Sequence, residues 1–568
     1  DHDKIYKYVT SFYNWHEHDS IPKDLEFEGI NLLSLFDTAE LHHLLIREIY
    51  LFITLKRLLE NFSNVEILAN SHLLKIIKCF SDNTKSIVIG DSKHIFSVPF
   101  QQYSFSFSFL GINIPIKLSR NSYRKIKNFV ESTLGRIFDL WFSEKKLKKS
   151  VLFLEFNPEQ YTDLFNHLSK TKKNIVLLNT RRPAIWNFNS IKLLKKFNCK
   201  IITPKYFLSK FEKNSISKIL KQYDKKIENL WIHDEAFFNL FTIENYSIWP
   251  IIKDTLLQVY KERLQDYIEL IIFCRKISKK LDLSCMISLN VFGETEKTML
   301  KINDKIPSIL LEHGFTNYVP ELSLFDISNM YPLFKDKIAL WGDIQKDYLV
   351  KQKNISNEKI LSVGSPRHDV FFNKNIEIKN ESITILIIPG QLDESNAIYD
   401  TRLFLKYEML LKKLFSVLKS IPNISYLVKL HPSLQKNNLY VKNIIQKIDS
   451  NIIINQFSNI LDDIQSSSII INIFTELFPS TALLEGLLLK KPILNLCLHD
   501  YDYEFEFEKD KAVLSVKYND NLKINIEKIL FDKNFQSLLI NNGTQHTKRY
   551  LSNPGTASQK LASILNSF

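Results

Sequence analysis

The chain has 568 residues, more than one hydrophobic core accommodates, so two or more domains are expected. Hydrophobic residues make up 45% and charged residues 24%, which excludes a disordered or fibrous chain. The formal net charge of +13 points to an anionic membrane surface, nucleic acid or anionic substrates, but Lys runs such as Lys145-Lys146-Leu147-Lys148-Lys149 lack the interleaved aromatics and glycines of an RNA-binding module. Nucleic acid is therefore set aside. Solvated helix ends are the plain reading of the basic residues, and peripheral contact with an anionic membrane is the other.

In chain order, apolar residues three and four apart predict a helix over Leu41 to Phe62, with a short strand at Asn64 to Ala69. From Val151 the rhythm becomes regular. Val151 to Phe156 reads as a buried strand, Gln160 to Leu168 as a helix, and Asn174 to Asn179 and Lys200 to Thr203 as strands. A long helical stretch covers about 205–280, and strands resume at Cys285 to Leu289 and Ser308 to Leu311. In the second half the strands are Ile338 to Leu340, Ile360 to Val363, Ile383 to Ile388, Tyr426 to Leu430, Ile452 to Ile454, Ile469 to Ile473 and Ile493 to Leu496. Short β-branched runs alternating with helices predict an α/β protein of two doubly wound, Rossmann-like domains facing across a cleft, 1–335 (with a helical insertion) and 336–568.

Cys79, Cys199, Cys274, Cys285 and Cys497 form no CxxC pair or Cys/His cluster, which argues against a zinc site or a disulfide framework and suits a reducing, cytoplasmic setting. No apolar run reaches the roughly 18 to 20 residues that span a bilayer. The first residue is Asp1, so a removed leader stays an open alternative.

Ligands of open parallel sheets bind at the carboxyl ends of strands, so the residues that follow the predicted strands are the candidates. Leu310-Leu311-Glu312-His313-Gly314 closes a strand; Gly314 would allow a sharp turn, leaving Glu312 and His313 at the strand end. A histidine there could take a proton from a hydroxyl, and the plain alternative is a buried His bonded to a carbonyl. Gly364-Ser365-Pro366-Arg367 offers backbone, hydroxyl and guanidinium donors for phosphate, although Gly-Ser-Pro is also ordinary turn chemistry. Pro389-Gly390-Gln391 makes a similar loop. In His431-Pro432, the proline frees carbonyls to read a base edge while His431 faces a phosphate. Ser480 and Thr481 begin a helix whose amides favour an anion, and Glu485, one turn on, could accept from ribose hydroxyls. The bland version is a capped helix packing its leucines.

His313-Gly314, Trp341-Gly342, Gly364-Ser365-Pro366-Arg367, His431-Pro432 and Ser480-Thr481 with Glu485, in this order, resemble the GT-B enzymes that build surface polysaccharides. Bacterial sialyl- and polysialyltransferases, Kdo transferases and CDP-glycerol glycerophosphotransferases share that layout. The resemblance covers about 300–500 well and the first 280 residues in outline. It implies His431, Pro432, Ser480 and Thr481 as donor ligands, beside Gly364, Ser365, Arg367 and Glu485 from the reading of the residues, and Glu312 or His313 as the base. It also implies a nucleotide-sugar donor, CMP-linked by preference, a glycan or lipid-linked acceptor, and no metal or other cofactor. The tandem acidic-acidic-Gly motif of polysialyltransferases stands here as Glu-His-Gly, and Phe474-Thr475-Glu476 stands where glycerophosphotransferases have Asp-Tyr-Ser-Ser. A CDP-alditol phosphotransferase and a UDP-sugar 2-epimerase of the same architecture are the enzymatic alternatives. A metal-dependent GT-A enzyme would call on Asp500 and Asp502, and the fallback base is among His233, Asp234 and Glu235. No P-loop or GxGxxG occurs, which argues against a Walker NTPase or ordinary dehydrogenase.

Overall fold

A computed structural model describes residues 2–60, 62, 66–81, 85–89, 102–109, 112–141, 147–203, 210–314, 318–319, 331, 334–372, 383–390, 392, 402–432, 438–475, 480–498 and 503–568. The architecture is α/β, with parallel Rossmann-like sheets of seven and six strands. The chain falls into two compact units, Asp1–Phe156 with Asn174–Pro307, and Asn157–Lys173 with Ser308–Phe568.

The six-stranded sheet runs in the spatial order Ile453–Asn455, Ile424–Lys429, Ile383–Ile388, Ile469–Phe474, Ile493–Cys497, Leu514–Lys517, every pair parallel. In chain order that is 3-2-1-4-5-6, the doubly wound pattern, which reverses direction between Ile383–Ile388 and Ile469–Phe474. Ile469–Phe474 and Ile493–Cys497 are buried at every position, as expected of strands covered on both faces. The helix Leu403–Lys419 covers one face through Leu403, Tyr407, Leu410, Leu411, Leu414, Phe415 and Leu418, which recur at helical spacing and pack with Ile385 and Ile387. Each such aliphatic side chain contributes about 1.5 to 3 kcal/mol on burial.

The seven-stranded sheet has the order Ile360–Ser362, Lys337–Leu340, Ser308–Leu311, Leu281–Ser288, Leu147–Leu154, Asn174–Leu178, Lys200–Ile202. Its order also reverses beside its first strand in the chain, between Leu147–Leu154 and Leu281–Ser288. The helix Trp249–Lys280 packs Leu270, Phe273, Cys274 and Ile277 with Leu152, Leu154, Val176 and Leu178.

Some elements differ from expectation. The helical stretch expected over 205–280 is two long helices, Lys210–Ile232 and Trp249–Lys280, separated by Glu235–Leu240 and a two-stranded hairpin. Glu244 and Asn245 in that hairpin have positive φ, 49° and 73°, which no helical periodicity announces. Antiparallel pairing of Gln102–Phe109 with Ile112–Ser119 and the edge strand Leu514–Lys517 were not anticipated. None of the five cysteines is in a disulfide. Among the described residues no helix is long and apolar enough to cross a membrane.

Candidate functional site

Glu312 directly follows the strand Ser308–Leu311 and is 1% exposed. Its Oε2 accepts from the Trp341 backbone N–H at 2.7 Å, and its Oε1 accepts from the Tyr318 hydroxyl. Trp341 returns a bond from Nε1 to the Glu312 carbonyl at 2.8 Å. The carboxylate thus clasps the ends of two neighbouring strands. His313, the next residue, is half-buried, and its carbonyl accepts from Arg367 Nη1 at 3.0 Å. The chain bends at Gly314 without a positive φ, and among the described residues a Cβ there would meet nothing within 4 Å, so open space lies beside it.

Gly364 has φ +91°, and a side chain there would run into the Ser552 carbonyl and lie 2.9 Å from Ala557 Cβ. The C-terminal segment packs that closely because it braces the loop. Ser552 N–H donates to the Trp341 carbonyl at 2.6 Å, Asp369 accepts from Ser558 N–H at 2.6 Å, and Ser558 Oγ donates to the Pro366 carbonyl at 3.2 Å. Arg367 projects from this braced turn with its side chain 21% exposed, and its Nη2 lies 3.5 Å from Glu485 Oε1. One guanidinium therefore brings together three of the motifs read from the sequence, around His313, Arg367 and Glu485. Ser365 is buried, with Oγ 2.7 Å from Nδ1 of the wholly buried His368.

Glu485 lies on Thr481–Leu488, the helix after the strand Ile469–Phe474 at the point where the six-stranded order reverses. Ser480 is its N-cap, accepting weakly from Ala482 N–H at 3.3 Å. The two loops at the reversal touch: a Cβ at Gly390 would run into Thr475 Oγ1 and the Ile473 carbonyl. Lys145, Lys146, Gln391, Glu476, Asp500 and Asp502, named in the sequence reading, lie outside the described residues. His431 and Pro432 are exposed beyond the strand Ile424–Lys429, and the His431 carbonyl accepts from Asn438 Nδ2 at 2.7 Å.

Two residues at this site went unassigned in the sequence. His368 was passed over beside Arg367. Lys429, at the end of its strand, is 4% exposed and donates to the carbonyls of Gln456 at 3.0 Å and Ser458 at 2.6 Å. Burial lowers its proton affinity, against the pull of Asp463 and Glu485.

A second polar cluster, in the first unit, was missed altogether. Glu155, directly after Leu147–Leu154, is buried at φ 61° and accepts from the backbone N–H groups of Thr180, Arg181 and Arg182 at 2.7, 3.0 and 3.0 Å. Arg181 continues to Asp37 at 2.8 Å and Glu296 at 2.5 Å. Burial, with Arg181 opposing, pushes the Glu296 carboxyl up to about 7, and its Oε2 has no partner among the described residues. Glu155 is the one charged residue in the predicted strand Val151 to Phe156 and Arg181 follows the predicted strand Asn174 to Asn179, which was the available signal. Asp234 of the fallback trio accepts from Trp249 Nε1 and pairs with Lys253, each at 2.6 Å. Among the described residues no three His, Cys, Asp or Glu side chains gather as a metal site.

No protein-family model and no curated protein matches the chain. Similar solved structures include a UDP-N-acetylglucosamine 2-epimerase, 11% identical with a TM-score of 0.43, covering 73% of this chain and 95% of that one. The wall teichoic acid polymerase TagF is 13% identical with a TM-score of 0.40, covering 79% and 97%. HepE from Anabaena in complex with UDP-glucose is 10% identical with a TM-score of 0.38, covering 74% and 100%. These identities and scores are low, and the chemistry of the site stands on its own geometry.

Proposed function

We propose that the chain is a GT-B glycosyltransferase that moves a sugar from a nucleotide-activated donor, CMP-linked by preference, to a glycan or lipid-linked acceptor of surface polysaccharide. The observation that carries this reading is the Arg367 bridge between the His313 carbonyl and the Glu485 carboxylate. It joins a strand end bearing a histidine to the helix that follows the reversal of the six-stranded sheet, where open parallel sheets take nucleotides.

In this reading Glu485 accepts from the ribose, and the first turn of Thr481–Leu488 meets the phosphate, with Ser480 and Thr481. Arg367 and His431 add positive charge on the leaving phosphate. His313 takes the proton of the acceptor hydroxyl as its oxygen bonds to the donor carbon, and the carbon–phosphate oxygen bond breaks with its electron pair on the nucleotide. His313 suits the role better than Glu312, because both Glu312 oxygens are engaged by Trp341 and Tyr318. These cationic and amide groups stand in for a metal, so turnover is expected to persist in excess chelator. The same reading includes contact with an anionic membrane, supported by the helix Arg120–Ile137, which exposes Ile126, Phe129, Val130 and Ile137 beside Lys125 and Arg136.

The test is thermal stabilisation by a panel of CMP-, CDP-, UDP- and GDP-linked donors with EDTA present, followed by transfer assays with the donor that binds. Stabilisation by one base class supports the reading. No stabilisation by any of them, or turnover restored only by manganese or magnesium, overturns it.

A further inference from the structure

Among the described residues, Glu485 is held through one of its two oxygens. Arg367 Nη2 lies 3.5 Å from Oε1, and His368 Nε2 lies 3.6 Å from the same atom. The other ring nitrogen of His368, Nδ1, is 2.7 Å from Ser365 Oγ, and both residues are buried. A neutral imidazole set between an alcohol and a carboxylate has one consistent arrangement of protons. The Ser365 hydroxyl donates to Nδ1, and the N–H on Nε2 faces the carboxylate. The opposite tautomer would turn a lone pair toward a negative charge. Burial chiefly, with the Arg367 charge adding, keeps His368 below the usual imidazole range, in keeping with a neutral ring. At 3.6 Å the contact exceeds a regular hydrogen bond, so it biases the carboxylate's orientation without clamping it.

We infer that His368, itself fixed by Ser365, is a positioning residue that turns Glu485 so that Oε1 faces Arg367 and His368 and Oε2 is left for the hydroxyls of a ribose. The site is thereby selective for ribonucleotides over their deoxy forms. This rests on the reading of Glu485 as a ribose ligand. A carboxylate whose rotation is limited before binding loses less freedom when the sugar arrives, and a sugar lacking the hydroxyls leaves a buried acceptor unsatisfied. The braced turn Gly364–Asp369 gives His368 the rigidity this needs.

The experiment is calorimetric binding of CMP, CDP, UDP and GDP, each against its 2′,3′-dideoxy counterpart, to the full chain and to His368→Asn, His368→Gln and Glu485→Gln. The unsubstituted chain is expected to prefer the bound ribonucleotide by about tenfold or more, the scale of one hydrogen bond to a charged group. Asn at 368 can still meet Ser365 but stops short of Glu485, and should cut the preference to about twofold. Gln places an amide N–H near the Nε2 position and should restore most of it. Partial unfolding would lower the binding stoichiometry and leave the preference ratio unchanged, so a merely structural role is told apart. Full preference in both His368 variants, with preference lost in Glu485→Gln, overturns the role of His368 and spares the ribose reading. An unsubstituted chain that binds none of these nucleotides, or binds without preference, overturns the ribose reading and the inference with it.

Discussion

The two sheets reverse their strand order beside their first strands, Leu147–Leu154 in one and Ile383–Ile388 in the other, yet the polar groups near the two reversals are used differently. At the first, Glu155 accepts from three consecutive backbone amides, and Arg181 is spent on Asp37 and Glu296. The protein's own charges fill that crevice. Near the second, Arg367 is partly exposed, and Glu485 has that guanidinium at 3.5 Å and the His368 ring at 3.6 Å. Strand order makes a crevice in both cases. Whether a ligand can use it depends on how many of the facing groups are already taken.

The sharpest way to break this contrast is Glu155→Ala. It would leave the amides of Thr180, Arg181 and Arg182 buried without an acceptor, and should cost about 3 to 5 kcal/mol in urea denaturation. Nucleotide affinity of the folded fraction should not change; a loss of affinity would make the first crevice a ligand site after all. His313→Ala should cut turnover by about a hundredfold or more while leaving donor affinity nearly intact. Abolished donor binding in that variant would turn the histidine into a nucleotide ligand. Thr481→Ala and His431→Ala should each weaken nucleotide binding by about tenfold in calorimetry, with unfolding midpoints unmoved.

Glu296 sharpens the contrast through pH. Its folded value near 7 stands above the ordinary 4.5, so between those values the folded state keeps a proton that the unfolded chain has released. Its contribution therefore falls as pH rises from about 4.5 to 7. Glu296→Gln should lose that slope, read as the difference in denaturant midpoint between pH 5 and pH 7 for the two proteins. A slope unchanged in the variant would assign it to other groups. The smallest effect concerns the exposed helix: Phe129→Asp should reduce co-sedimentation with phosphatidylserine-containing vesicles a few-fold and leave nucleotide binding alone. Equal sedimentation of both proteins would remove the membrane from the reading.

Much of the framework was legible in local pattern. Runs such as Ile383–Ile388 and Ile469–Phe474 declare buried parallel strands because β-branched and apolar residues fill them, with one polar residue in each, Thr384 and Asn472. Strand order, the pairing of Gln102–Phe109 with Ile112–Ser119 and the break in the long helical stretch were not legible, since each depends on contacts or backbone angles that periodicity does not encode. The site divides the same way. His313, Arg367 and His431 could be named because each stands in a recognisable turn, and Glu485 because it lies one turn beyond a cap, but nothing nearby in the chain says that one guanidinium would reach both the His313 carbonyl and the Glu485 carboxylate. Nor does it say that Glu312 would be taken up by Trp341 and Tyr318, or that His368 would sit between Ser365 and Glu485. Sequence spacing determines which residues stand at strand ends and helix starts. Which of those groups meet, and which stay available, is decided by tertiary packing, because burial makes each unpaired polar atom costly and so selects the partners.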